Sequence, residues 1–138
     1  MVCMPPSNEL PKHRVIKRIA KELEAYPPEA YDFVQRGLTY TVEKVHAGLT
    51  DPKASRHVSG HQLSEGLRDY ALLQWGLLAR TVLTSWGIES TLDFGKIVFA
   101  LIDAQQMQKT DDDTVEDFRD VYDFDTAFEA GYRMQLTL

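Results

Sequence analysis

The segment from Ser90 to Ile102 carries the broadest apolar helical stripe in the 138-residue sequence. Its apolar members recur every three or four residues, the spacing that places side chains on one face of an α-helix. They are Phe94, Ile97, Val98, Leu101 and Ile102, with Phe99 and Ala100 widening the face. Ser90 or Thr91 is placed to cap this helix, and the dipole favours Asp93 in its first turn. A helix with so much apolar circumference belongs in the middle of a fold.

A short amphipathic helix is predicted over residues 13–25, after a flexible N-terminus at residues 1–12. Its apolar residues repeat at helical spacing, and cations occupy its other faces. The apolar residues are Ile16, Ile19, Ala20 and Leu23. A helix this short needs packing to be stable. We expect it to dock near residues 115–125, on its own chain or on a second copy, because aromatic residues lie there among acids.

Prolines and a glycine shape the second helix. Pro27 and Pro28 end the first helix and begin the second, since proline is tolerated in a first helical turn. The apolar pattern extends this second helix to about His46. Gly37 inside it costs about 1 kcal/mol relative to alanine. We therefore expect another backbone to approach closely at Gly37.

Capping patterns mark the next two helices. Ser59 and Gln62 have the spacing of a capping box and predict the start of a third helix. Gly76 separates that helix from a fourth. Gly87 is placed as the left-handed residue that ends the fourth helix, with Ile88 reaching back as in the Schellman motif.

The segment at residues 106–124 mixes acids with scattered aromatic and β-branched residues. It predicts either a short hairpin or an irregular acidic segment. Asp123 or Asp125 is expected to cap a last short helix near residues 126–132. Together the patterns predict a mainly α, single domain of five to six helices over residues 13–138. A hairpin at residues 106–124 would give it a winged-helix-like outline.

Composition and charge narrow the function classes. Apolar residues make up 43% of the chain, as in a globular domain, and Cys3 has no partner for a disulfide. Neither a signal peptide nor a run of about 20 apolar residues is present, which favours a reducing cytoplasm and no membrane. Residues 62–138 hold six basic and fourteen acidic residues, a formal balance of −8. This pattern is typical of a solvated charged face, and the alternative is an acidic surface that attracts a basic partner or the chain's own N-terminal helix.

The stretch RHVSGHQLSEGLRDYALLQWG, Arg56 to Gly76, is predicted to be chiefly a helix start with a solvated charged face, and a ligand or partner site is the alternative. His57 and His61 are four apart, but the capping pattern places His57 outside the helix, so they do not form the histidine pair of a zinc helix. Trp75 stands beside a helix-ending glycine, where an exposed ring could anchor a partner, but half-buried core packing is favoured. The candidate partner or ligand surface comprises Arg56, His57, His61, Arg68, Trp75, Asp123 and Asp125.

Catalytic motifs are absent from the sequence. It contains no GxGxxG, P-loop, GxSxG, HExxH or paired CxxC pattern. Its lone thiol, Cys3, lies near the N-terminus without a fixed base. The residues therefore favour a non-enzymatic protein and imply no catalytic residue, cofactor or metal. An enzyme of unrecognised class is kept as an alternative.

A nucleic-acid-binding alternative depends on residues 79–102, which have the outline of a helix-turn-helix. Asp93 and Lys96 occupy positions that the motif requires to be apolar, and the acidic half of the chain would repel phosphate. Nucleic acid is thus disfavoured, although a winged-helix-like regulator remains an alternative. The preferred hypothesis is a protein-binding or scaffold module, with a protein partner or a homodimer.

Blocks between residues 26 and 128 resemble the Minf family of small uncharacterised bacterial proteins. The blocks are YPPEAYDFVQRGLTYTVEKVH, RHVSG, DYALLQWG, TVLTSWGI, DFGKIVF and EDFRDVYDFD. The chain departs from the family pattern at His61-Gln62 and at Gln105-Gln106. The resemblance implies a soluble bacterial domain and transfers no activity to any residue.

Overall fold

The computed structural model describes residues 17, 18, 20, 21, 25–46, 57–109 and 113–128. This described part is mainly helical and contains no β-strand, which confirms the expected fold class with slightly fewer helices than expected. The elements are helices α1 (Pro28–Val45), α2 (Gly60–Trp75), α3 (Ala79–Ser85) and α4 (Thr91–Asp103), and 3-10 turns at Gly76–Leu78 and Val115–Phe118. Residues 124–128 add one further helical turn.

Helices α1 and α2 pack against each other through two glycines. A Cβ atom on Gly37 would overlap the side chain of Leu67, and one on Gly66 would overlap Thr41. Gly37 does lie at a close contact, but the neighbour is the Leu67 side chain, so the expected approach of another backbone is wrong. Thr41 Oγ1 donates to the carbonyl oxygen of Gly37 at 2.7 Å, so its hydroxyl is satisfied inside the contact.

The core is completed by α4, which packs on α1, on α2 and on the second 3-10 turn. Phe94, Ile97 and Leu101 are fully buried, as the broad stripe predicted. Gly95 allows Phe118 of the 3-10 turn to lie directly on α4, because a Cβ atom there would come within 2.8 Å of the Phe118 side chain. The irregular acidic segment is thus anchored by an aromatic ring in the core.

The capping predictions agree with the structure. Gln62 N donates to Ser59 Oγ at 3.0 Å and Ser59 N donates to Gln62 Oε1 at 2.9 Å, which completes the capping box of α2. Gly87 has a φ of +82°, and the amide of Ile88 donates to the carbonyl of Leu83 at 2.9 Å. This is the Schellman ending expected after α3. Asp93 accepts from the backbone amide of Ser90, the N-cap of α4, at 3.1 Å.

The segment at residues 113–124 is irregular around its 3-10 turn, so the second of the two sequence alternatives applies to its described part. Val58 and Gln108 occupy isolated bridge positions, and no strand that could act as a wing occurs among the described residues. None of the described helices has the length and apolar character needed to cross a bilayer. The N-terminal segment 1–12, the loop at residues 47–56 and the end of the last predicted helix lie outside the described residues.

Candidate functional site

The two histidines considered from the sequence, His57 and His61, have different surroundings. His57 contributes its carbonyl oxygen, which accepts a hydrogen bond from His46 Nε2 at 2.7 Å. His61 is exposed in the first turn of α2. No group of three metal-ligating side chains occurs within the described ranges. Arg56 lies outside them.

Arg68 belongs to a structural network. Its guanidinium pairs with Asp69 at 3.1 Å, and Asp69 also accepts from Lys44 of α1 at 2.8 Å. The Arg68 guanidinium carbon lies 5.8 Å from the centre of the Tyr122 ring. Tyr122 in turn donates its hydroxyl to the carbonyl of Ser64 at 2.7 Å, and burial raises the pKa of this hydroxyl far above its usual range. These contacts tie the acidic segment to α2.

Asp123 and Asp125 also make local contacts. The carbonyl of Asp123 accepts the amide of Ala127 at 2.8 Å, and its carboxylate accepts the Thr126 hydroxyl at 3.2 Å. Asp123 therefore caps the helical turn at residues 124–128, as one of the two alternatives predicted. Asp125 forms an ion pair with Arg80 of α3.

Trp75 is half-buried and packs inside an aromatic cluster. Its ring centre lies 5.3 Å from that of Phe33 and 5.5 Å from that of Trp86. Phe33 is buried and also contacts Tyr70, with 5.7 Å between ring centres. Trp75 thus joins α1, α2 and the end of α3.

Three leucines beside Trp75 are left in solvent. Leu73, Leu77 and Leu78 expose 64%, 66% and 60% of their surface. They fall within six consecutive residues at the junction of α2 and α3, and we call them the leucine patch. The chain turns there at Gly76, whose φ is +52°. Sequence reasoning missed this patch, although Leu73 lies off the apolar stripe of α2 and Leu77 and Leu78 follow the helix-ending Gly76.

A second feature is a cleft of about 740 Å³, here named the tryptophan cleft. It lies between the N-terminal helical residues, the turn that precedes α1 and the end of α3. Its lining residues are Lys17, Ala20, Lys21, Ala25, Tyr26, Pro27, Pro28, Ser85, Trp86 and Gly87.

The walls of the tryptophan cleft are held in place from behind. Trp86 packs on Phe33 and Trp75, with ring centres 5.8 and 5.5 Å apart. Tyr26 donates its hydroxyl to Asp93 Oδ1 at 2.6 Å. Burial and this hydrogen bond to a carboxylate both raise the pKa of Tyr26.

The cleft also locates part of the predicted N-terminal helix. Residues 17, 18, 20 and 21 are helical and Ala20 is buried, whereas Ile16, Ile19 and Leu23 lie outside the described residues. Lys17, Ala20 and Lys21 line the cleft beside Pro27 and Trp86. No residue from 115–125 lines it, so these described residues give no support to the expected docking near that segment.

Comparison with protein-family models, curated proteins and solved structures gives no match to this chain. The resemblance to the Minf family stays a prediction.

Proposed function

We propose that the protein is a non-enzymatic protein-binding module that docks a partner on the leucine patch. The observation that carries the proposal is the exposure of Leu73, Leu77 and Leu78, each 60% or more, within six consecutive residues. A single exposed leucine is ordinary on a protein surface, whereas a contiguous apolar group favours an interaction site.

Packed aromatic side chains support the turn that carries the leucine patch. Trp75, next to Gly76 in the chain, packs on the buried ring of Phe33. Since the aromatic cluster fixes the base of the turn, little ordering of backbone is required when a partner covers the leucines. Preorganised apolar anchors of this kind lower the entropic cost of binding.

Charge favours a partner different from this chain. The patch belongs to residues 62–138, where six basic and fourteen acidic residues give a formal balance of −8. The whole chain carries a formal net charge of −6, so two copies repel each other at long range, which disfavours self-association. A partner of net positive charge with an apolar groove would instead be attracted to this chain.

The alternatives have less support. The helix that would read DNA in a helix-turn-helix is α4, and its residues Phe94, Ile97, Val98 and Leu101 are buried in the core. Among the described residues, the titratable groups with raised pKa values are tyrosines and a lysine engaged in packing or pairing, with Arg119 in a surface ion pair. The burial of these α4 residues disfavours nucleic-acid binding, and titratable groups engaged in packing or pairing do not favour catalysis.

Site-specific photo-crosslinking tests the proposal in the native host. A photoreactive benzoylphenylalanine would replace Leu77 and, as a control, Val45, which is 40% exposed on α1. We expect a heterologous adduct at position 77 and none at position 45. The purified partner should then bind the Leu77→Ser variant about tenfold or more weakly, whereas Val45→Ser should change affinity less than about twofold.

Three outcomes would contradict the proposal. One is the absence of any adduct at position 77. Another is an equal yield of the same adduct at position 45, which would indicate unspecific contact. The third is an adduct of the chain with itself, accompanied by a dimer in sedimentation that Leu77→Ser dissociates. That result would assign the leucine patch to self-association.

A further inference from the structure

We infer that the tryptophan cleft binds a small organic anion with a flat apolar body, such as an aromatic carboxylate. This inference is separate from protein binding on the leucine patch. It rests on the size of the cleft, on the rings and prolines that line it, and on the two lysines at its edge.

Size favours a small ligand. The volume of about 740 Å³ falls in the range of about 300–1,000 Å³ typical of small-molecule sites, and the cleft is widely open to solvent, so it would enclose a ligand only in part. Such sites are mostly apolar, with a few polar groups that set orientation. The tryptophan cleft has this composition, since Tyr26, Pro27, Pro28 and Trp86 provide rigid apolar surfaces and the lysines provide charge.

The aromatic walls are fixed before any ligand arrives. Trp86 is supported by Phe33 and Trp75, and its main chain ends α3 in the Schellman motif at Gly87. Tyr26 is held by its 2.6 Å hydrogen bond to Asp93. A flat apolar ligand would therefore gain contact with ordered surfaces without displacing core side chains.

Charge selects the sign of the ligand. Lys17 and Lys21 are one helical turn apart, both are exposed, and both line the cleft. No carboxylate lines the cleft among the described residues, and no described acid pairs with either lysine. Asp93 lies behind Tyr26, where its carboxylate accepts from Tyr26 and from the backbone amides of Glu89 and Ser90. Among the described residues, these two lysines are therefore the charged side chains that line the cleft.

The apolar walls should supply most of the affinity and the lysines the selectivity. Exposed ion pairs contribute modestly, so two of them correspond to about three- to tenfold in affinity. This predicts an ordering among ligands of one shape. The anion should bind best, the neutral analogue less well, and the cation least.

Titrations of the full chain with three naphthalene probes test this ordering. The probes are 2-naphthoate, neutral 2-naphthamide and cationic 2-naphthylmethylammonium. The readout is the NMR shift of the Trp86 indole N–H and of the Gly87 backbone amide. We expect saturable shifts with 2-naphthoate at an affinity about three- to tenfold above that of 2-naphthamide.

Charge variants distinguish specific binding of the probes beside Lys17 and Lys21 from non-specific adsorption to the protein. The double variant Lys17→Gln, Lys21→Gln should lower the affinity for 2-naphthoate to that for 2-naphthamide and leave the latter unchanged. Lys44→Gln is the matched control, because Lys44 pairs with Asp69 on α2 and does not line the cleft. It should change neither affinity. Thermal melts of all variants confirm that each remains folded.

The inference is overturned if the three probes bind equally, or if none produces saturable shifts at Trp86 and Gly87. Shifts centred on Leu77 and Leu78 would likewise overturn it, since they would place the probes on the leucine patch. An acidic peptide that competes at concentrations well below those of 2-naphthoate would reassign the cleft to a protein partner.

Discussion

The two ends of helix α2 have opposite surroundings. At its N-terminal end, Leu63, Ser64 and Leu67 are fully buried against the rest of the fold. At its C-terminal end, Leu73 is 64% exposed, and Leu77 and Leu78 just beyond it are equally open to solvent. The same residue type is therefore used for packing at one end and left available at the other.

The two ends of α2 differ in how many contacts with the rest of the fold hold them in place. The N-terminal end is fixed by the Ser59 capping box, by the fit of Gly66 against Thr41 and by the Tyr122 hydrogen bond to Ser64. The C-terminal end needs only the turn at Gly76 and the packing of Trp75. Exposed leucines contribute little to folding, so their presence at that end calls for a different account, which the leucine patch proposal gives.

Replacing one leucine at each end with alanine measures the contrast directly and should give the largest effect. Leu67→Ala removes a fully buried side chain and leaves a cavity, so the free energy of unfolding should fall by about 2–5 kcal/mol. Leu77→Ala removes a side chain that is 66% exposed and should change it by no more than about 0.5 kcal/mol. Urea unfolding followed by circular dichroism checks both values. Equal losses would show that the leucine patch is part of the core.

Gly66→Ala tests whether the α1–α2 contact at the N-terminal end of α2 tolerates an added methyl group. At an exposed helical site this change would stabilise by about 1 kcal/mol. Here the new Cβ atom would overlap Thr41, and overpacking should lower the free energy of unfolding by about 1–3 kcal/mol. In the Thr41→Ala background the loss should be smaller, because the two closest obstructing atoms, Oγ1 and Cγ2, are gone while the Cβ atom stays at 2.8 Å. Identical losses in both backgrounds would contradict steric fit as the cause.

The cap at the N-terminal end of α2 was predictable from the sequence, whereas the contacts of that end with Thr41 and Tyr122 and the exposure of the C-terminal end were not. Ser59, Gln62 and Gly87 act through local hydrogen bonds and dihedral angles, which short sequence patterns encode. Gly37 gave a signal because glycine is costly inside a helix. The exposure of Leu77 depends on which neighbours cover it, and no local pattern specifies that.

The candidate site shows the same limit. Each of the charged residues Arg68, Asp123 and Asp125 has a structural partner. Arg68 pairs with the adjacent Asp69, Asp123 accepts from Thr126 in the next turn, and Asp125 pairs with Arg80 of α3. The tryptophan cleft joins residues near position 20 to Trp86, so it exists only after the chain has folded. The sequence allows Trp75 to be either a partner anchor or a core residue. Its packing on Phe33 agrees with a core residue.

Removal of the α2 cap should have an intermediate effect. Ser59→Ala leaves the amide of Gln62 without its side-chain acceptor, whereas the main-chain amide of residue 59 can still donate to Gln62 Oε1. The free energy of unfolding should fall by about 0.5–2 kcal/mol. Ser85→Ala is the matched control, because the Ser85 hydroxyl is exposed near the C-terminus of α3 and donates to the Val82 carbonyl. Its effect should stay within about 0.5 kcal/mol. A larger loss at Ser85 than at Ser59 would refute the role of the capping box.

The smallest effect concerns pH and the hydrogen bond from Tyr122 to Ser64. Tyr122→Phe should lower the free energy of unfolding near pH 8 by about 0.5–1.5 kcal/mol, the usual net value of one hydrogen bond. The Ser64 carbonyl lies within α2 and keeps its main-chain partner, so no buried acceptor is left unpaired.

Because burial raises the Tyr122 pKa in the folded protein, the unfolded chain loses this proton first as the pH rises above about 10. The stabilisation is thus complete below that pH and declines above it, by about 1.4 kcal/mol per pH unit for one such group. The gap in stability between wild type and Tyr122→Phe should therefore narrow between pH 8 and pH 11 in urea titrations. A gap that stays constant or widens over this range would mean that folding does not raise the Tyr122 pKa. The N-terminal end of α2 would then be more accessible to water than its packing indicates.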